Sequence, residues 1–545
     1  MLLSTMMLDR FNKIITIFFF CLTVPAISNS QLSAQSTQQT KAAEKETKEK
    51  PAAEEPAATT KSKKGKDKED GESEAKPSVT KHTVMIAGEE IAYTATAGKM
   101  LMKDDAGKAK ANVFYVAYTV EGAVAKNRPV TFCFNGGPGS SSVWLHLGML
   151  GPQRIKFRDD AQRLRPPHQM ITNPYSLLDT TDLVFIDPVS TGYSRPAKGE
   201  KKQQFHGYDE DIASVGQFIH DYTTRLGRWG SPKFLLGESY GGLRAAGLSG
   251  RLQSRYRMYL NGIVLVSATV DFRTLRTGGG NDLPYSLFLP SYAATAWYHK
   301  ALPESLQEMP LAEVVEKAKQ FAEHTYMPAL NAGDRLSPEK RKSLISEMSQ
   351  LTGLSEDYID RANLRVGMGR FGKELLRSRK QVIGRFDSRY TGIDADHVGE
   401  TMGHDPSGAV FFGPFTSAMN DYLRNHLEVE EDRVYEVLTG KVRPWDYSEF
   451  ENQFVTASST LRDAVRDNPH LKIFAACGYY DLATPSYAME YSRSHLGLPP
   501  ELKDNFQLAF YEGGHMMYVH EPSLKKLRTD LLKFYQLAQG TDEDE

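Results

Sequence analysis

Phe234-Leu235-Leu236-Gly237-Glu238-Ser239-Tyr240-Gly241-Gly242-Leu243-Arg244-Ala245-Ala246-Gly247-Leu248 is the stretch that decides the fold. The apolar run ahead of Gly237 has the length of a buried strand, and the run from Leu243 is compatible with a helix. Ser239 lies between them with glycine on either side, the arrangement of a strand, a sharp turn and a helix with serine at the apex. The serine backbone in such a turn is strained, and strand and helix pass too close to leave room for a Cβ on the flanking residues. A G-x-S-x-G string alone arises readily by chance, so its place between strand and helix carries the weight. The turn predicts a hydroxyl held out above a sheet edge.

A hydroxyl is too weakly acidic to attack a carbonyl unaided, so a base and an orienting carboxylate should follow. Lys472-Ile473-Phe474-Ala475-Ala476-Cys477-Gly478 reads as a buried strand, with Asp481 just past its end. Phe506-Gln507-Leu508-Ala509-Phe510-Tyr511 reads as another, running into Glu512-Gly513-Gly514-His515-Met516, where two glycines let the chain turn and aim an imidazole. Asp481 is assigned as orienter and His515 as base. The order Ser239, Asp481, His515 is that of the α/β-hydrolases and differs from the two other serine-protease orders. Donors for a tetrahedral oxyanion come from the amide of Tyr240 and from Gly137 in Asn135-Gly136-Gly137-Pro138-Gly139, which follows the strand Val130-Thr131-Phe132-Cys133-Phe134. The expected architecture is an α/β-hydrolase fold, a mostly parallel central sheet flanked by helices, with an inserted, mainly helical cap.

At these residues the chain resembles the serine carboxypeptidase family, peptidase family S10. The resemblance covers Asn135 to Ser142, Leu150-Gly151-Pro152, Phe185-Ile186-Asp187-Pro188-Val189-Ser190-Thr191-Gly192-Tyr193-Ser194, Gly237 to Gly242, Asp481 and Gly513-Gly514-His515-Met516, in family order. It implies release of a C-terminal residue from a peptide through an acyl-enzyme on Ser239, with no metal or organic cofactor. It also implies that Asn135 and Glu238 bind the free carboxylate of the substrate. In the eukaryotic members a second Glu, in an E-L-G-P block, shares a proton with the first and ties activity to acid pH. Here that block reads Met149-Leu150-Gly151-Pro152, which leaves Glu238 to titrate alone. Met149, together with the G-G-P-G loop that proline iminopeptidases also carry, keeps open an esterase, acyltransferase or aminopeptidase with the same three residues. An intact Ser-His-Asp set argues against a scaffold without turnover.

Ahead of the core, Arg10 and Lys13 precede the apolar run Ile14 to Val24 and then Pro25-Ala26-Ile27-Ser28, the layout of a secretory signal peptide over residues 1–30. Export to a periplasm or beyond is expected, with no membrane span after signal cleavage. Residues 31–79 are rich in Lys, Glu, Ala, Gln, Pro and Thr, too polar to offset the entropy of ordering, and read as a charged spacer. The hydrolase core is expected over 80–271 and 456–540, the cap over 272–455, and an acidic tail over 541–545. Side-chain preference should be written mostly in the cap. With 66 Lys and Arg against 68 Asp and Glu, the chain has no basic bias to attract nucleic acid. Composition and motifs say nothing of the oligomeric state.

Of three cysteines, Cys21 falls in the signal. Cys133 and Cys477 fall on strands that are not neighbours in the hydrolase order, and read as small buried hydrophobes rather than a bridge. Asp187, His299, His404 and Asp405 read as structural or solvated, since no compact metal-ligand spacing accompanies them. Asp209 to Trp229 reads as a helix with Ile212, Val215, Phe218, Ile219, Tyr222 and Leu226 on its packed face.

Overall fold

In the computed structural model, which describes residues 74–540, the alternating pattern around His82 belongs to a strand that starts earlier than composition suggests. Strand β1 spans Ser78–Ile86, so residues 78 and 79 leave the expected spacer for the sheet. Val84 and Ile86 turn inward while Met85 stays exposed, as a one-faced strand requires. Ala87 and Gly88, both at positive φ (52° and 89°), form a two-residue hairpin into β2, Glu89–Lys103. β3 is Ala109–Val120, and all three pair antiparallel. β2 has no plain strand signature in the sequence, because its run of Ala, Gly, Thr and Lys lacks the bulky alternation that marks a strand. The expected signal at 1–30, most of the spacer and the acidic tail lie outside the described residues.

The other long strands of the large sheet are β4 (Val130–Phe134), β5 (Asp182–Ile186), β6 (Lys233–Glu238), β7 (Gly262–Val266), β8 (Lys472–Gly478) and β9 (Phe506–Tyr511). Their order is β1-β2-β3-β5-β4-β6-β7-β8-β9, with the short strand Arg195–Pro196 alongside β3. From β5 onward every pair is parallel. The registers align the strand ends: Phe134 pairs with Gly237, Glu238 with Val266, Val266 with Ala476, and Gly478 with Tyr511. Whatever follows these strands therefore emerges along one edge, the place where an open parallel sheet presents its ligand-binding crevice.

Parallel strands covered on both faces need unbroken apolar runs, and successive residues here feed two cores. Phe234, Leu236 and Val264 face one core, Leu235, Ile263 and Leu265 the other. The second core is closed by helices α1 (Tyr208–Arg225) and α2 (Tyr240–Tyr256). On α1 the expected face is buried from Ile212 to Tyr222, but Leu226 is 52% exposed because the helix ends at Arg225. Cys133 on β4 and Cys477 on β8 are free, buried and separated by β6 and β7.

The chain between β7 and β8 is mainly helical and packs in two ways. Helices α3 (Leu283–Tyr298), α4 (Leu311–Phe321) and α5 (Pro338–Thr352) share a cluster of their own, including Tyr292, Phe321, Met348 and Phe371. Helix α6 (Pro406–Asp421) instead sends Phe411, Phe415 and Met419 into the same core as β6. The stretch 272–455 therefore contains a separate helical body and a returning arm that belongs to the sheet's own packing.

Candidate active site

Ser239 follows β6 with φ 62° and ψ −126°, a backbone conformation that side chains other than glycine seldom adopt. The surroundings impose it. The Ser239 amide donates to the Val266 carbonyl at 3.0 Å, and the Gly242 amide donates to the Ser239 carbonyl at 2.9 Å. A Cβ on Gly237 would stand 2.2 Å from the Gly241 carbonyl oxygen, and one on Gly136 would stand 2.5 Å from the Tyr240 amide nitrogen. The glycine loop after β4 is thus pressed against the start of α2, whose first amides have no acceptor within the helix. Arg244 on α2, 1% exposed, fixes that contact by bonding Asp211 at 2.7 Å and the Asn135 carbonyl. Nothing in the sequence singled out this arginine.

Asp481 lies fully buried in the loop after β8. Its Oδ1 accepts the amides of Ala483 (2.7 Å) and Thr484 (2.9 Å), while Oδ2 accepts Nδ1 of His515 at 2.8 Å. Burial pushes the His515 imidazole down, but the Asp481 charge and hydrogen bond, with the charge of Glu238, outweigh it and raise it overall. With Nδ1 donating to Asp481, Nε2 is left as the nitrogen free to exchange a proton.

The loops bearing Asp481 and His515 are tied together by residues 385–389 of the inserted stretch. The His515 amide donates to the Phe386 carbonyl, the Leu482 amide to the Arg385 carbonyl at 3.0 Å and the Ser388 amide to the Tyr480 carbonyl at 3.0 Å. Asp387 accepts the Gly514 amide at 3.1 Å and pairs with Arg389 at 2.7 Å, both side chains being buried. A Cβ on Gly514 would stand 2.5 Å from Cα of Asp387, so the glycine before His515 serves this contact as well as the turn. His299 bonds the Ser388 carbonyl at 2.7 Å, and Asp405 accepts the Arg385 amide at 3.0 Å, which gives both residues structural work. This strap has no motif in the sequence, and its one local signal is the close spacing of Asp387 and Arg389.

A cavity of about 300 Å³ brings together Ser239, His515, Gly137, Asn135 and Glu238. Gly137, at φ 105°, contributes to its wall, whereas the Tyr240 ring is buried beneath it against Trp445. Glu238 is 3% exposed, and burial raises its carboxyl to about 7 against the opposing influence of His515, Tyr518 and Asn135. The Tyr518 hydroxyl donates to Glu238 Oε2 at 2.7 Å, and the fully buried Tyr518 ring lies where a Cβ on Gly148 would come within 2.4 Å. Met149 is buried in the core. Glu238 therefore has a neighbour after all, a phenol held well above its ordinary titration range by burial and by the Glu238 charge. Asp187 accepts the Ser142 amide at 2.9 Å, below the glycine loop, and burial raises it to about 7. A Cβ on Gly192 would stand 1.7 Å from its second oxygen, so the carboxylate occupies the space that the glycine leaves, in keeping with a positioning role.

Residues 88–323 match the family model described as serine carboxypeptidase. The pheromone-processing carboxypeptidase KEX1 of Arthroderma otae is 30% identical over 142 residues, 24% of this chain and 19% of that protein, so the chain spans about a fifth of the curated relative it matches. The prohormone-processing carboxypeptidase KEX1(delta)p of Saccharomyces cerevisiae superimposes with a TM-score of 0.52 at 16% identity, over 81% of this chain and 91% of that one. That likeness is one of fold.

Proposed function

Over residues 88–323 the chain belongs to the serine carboxypeptidase family, and from that premise we propose that it hydrolyses C-terminal peptide bonds through Ser239, His515 and Asp481. The observation that carries this reading is the single cavity holding Ser239 and His515 beside the buried pair Asn135 and Glu238. His515 Nε2 takes the Ser239 proton during attack and returns it to the leaving amine, while Asp481 holds the tautomer. Water then releases the acyl group by the same base. The amides of Gly137 and Tyr240 receive the oxyanion; one such donor is worth about 2.7–4 kcal/mol of barrier.

Asn135 and a protonated Glu238 bind the carboxylate of the substrate. Burial supports this role, because a carboxyl raised to about 7 keeps its proton well above ordinary carboxylate pH and can donate to an anion. The pattern at residues 1–30 supports action outside the cytoplasm on peptides with free C-termini. The test compares an N-blocked dipeptide acid with its amide by kcat/KM from about pH 4 to 8. A free-acid advantage of about tenfold, 1.4 kcal/mol, is expected. Equal rates for acid, amide and ester would replace the carboxypeptidase reading with a broader serine acyl hydrolase, the alternative that Met149 in the core favours.

A further inference from the structure

Beside the catalytic cavity lies a larger one, of about 630 Å³, walled by the separate helical body and by Leu482 and Ala483 next to Asp481. Arg385 borders both cavities. Aromatic side chains, among them Phe272, Tyr285 and Tyr292, line the larger one together with Arg276, Arg365, Arg370 and Arg385. Two of these cations are neutralised: Arg365 pairs with Asp282 at 2.6 Å, and Arg370 pairs with Glu400. Arg276 and Arg385 have no carboxylate partner among the described residues; each guanidinium lies over a ring, Phe272 at 4.9 Å and Phe386 at 5.2 Å. The chain as a whole carries a net charge of −2, so this unneutralised positive charge is a local feature.

Arg385 is also placed firmly. Its amide is held by Asp405, its carbonyl by the Leu482 amide, and the next carbonyl by the His515 amide. The side chain therefore projects from a backbone fixed between the two cavities, with its guanidinium over the Phe386 ring. Its charge is felt at His515, where it opposes protonation.

We propose that the larger cavity is the subsite for the residue on the acyl side of the scissile bond, and that Arg385, aided by Arg276, selects an acidic side chain there. The proposal rests on the carboxypeptidase reading and names the substrate class of that site. A guanidinium meets a carboxylate with two parallel hydrogen bonds, which an uncharged amide of the same shape reproduces poorly. The aromatic wall takes the methylenes of the side chain.

The test uses N-blocked dipeptide acids with Glu or Gln on the acyl side and a common C-terminal residue, read as kcat/KM at neutral pH and low salt. Wild type should favour Glu by about tenfold. Arg385→Met should bring the ratio to within about twofold, and Arg276→Met should lower it partway, with labelling of Ser239 by a serine-reactive phosphonate reporting an intact site. Arg443 borders only the catalytic cavity, so Arg443→Met removes the same charge and should keep the Glu preference. A ratio near one in wild type, or a ratio that survives both Arg385→Met and Arg276→Met, overturns the proposal. The carboxypeptidase reading is judged separately by acid against amide within the Gln series.

Discussion

The turn carrying Ser239 and the loop carrying His515 are both rigid, yet they are held by opposite means. The serine turn is fixed by its own strand and helix and by adjoining strand ends, with glycines admitting the close approaches. The histidine loop leans on a segment far away in sequence: Gly514 bonds Asp387 across 127 positions. The nucleophile's geometry is thus a property of the sheet. The geometry of base and orienter depends on their own loops and, in addition, on the inserted stretch.

The largest effect should come from Ser239→Ala, which on the proposed mechanism loses about 10⁵-fold or more in kcat while thermal unfolding barely changes. Retained turnover would remove the serine from its role. The comparison itself is broken or kept by Asp387→Ala, which leaves Arg389 buried without its partner and should cost about 3–5 kcal/mol by urea unfolding. Turnover in this variant should be lost at lower urea than the fluorescence change of the sheet; coincident transitions would mean that strap and sheet are one cooperative unit. Tyr518→Phe is subtler. It strips a donor from a buried carboxylate oxygen, a loss of about 1–3 kcal/mol, and because that bond lowers Glu238, its removal should move the fall in free-acid preference to higher pH.

The gentlest probe is pH. Glu238, raised to about 7, should support binding of a carboxylate while protonated, so the acid-to-amide ratio falls as pH rises through about 7. Stability follows the same sign: the contribution is fully present below the unfolded carboxyl value of about 4.3 and is lost as pH climbs through the folded value. A ratio flat from pH 5 to 8 would separate Glu238 from carboxylate recognition.

What was legible in the sequence was what glycine and short apolar runs encode locally. The strand before Ser239, the strands before Asp481 and His515, and the glycine loop at Asn135 all lie at aligned strand ends. The strap escaped notice because its contacts are backbone bonds between distant segments, which any side chain permits. Tyr518 escaped because its link to Glu238 across 280 positions leaves no periodic trace. The two-way packing of the inserted stretch was hidden for a related reason: α6 is as apolar as a cap helix, and only three-dimensional packing shows that Phe411 and Phe415 serve the sheet.

The strap has a consequence for the order in which the molecule is made. Synthesis proceeds from the N-terminus, so the strand and turn of Ser239 emerge more than 200 residues before His515, and the strap lies between them. On the proposed mechanism a growing chain is not a competent hydrolase before His515 has emerged, and the loop that carries it bonds the inserted stretch that was made earlier. Docking of the His515 loop against the folded strap then becomes the event that arms the site.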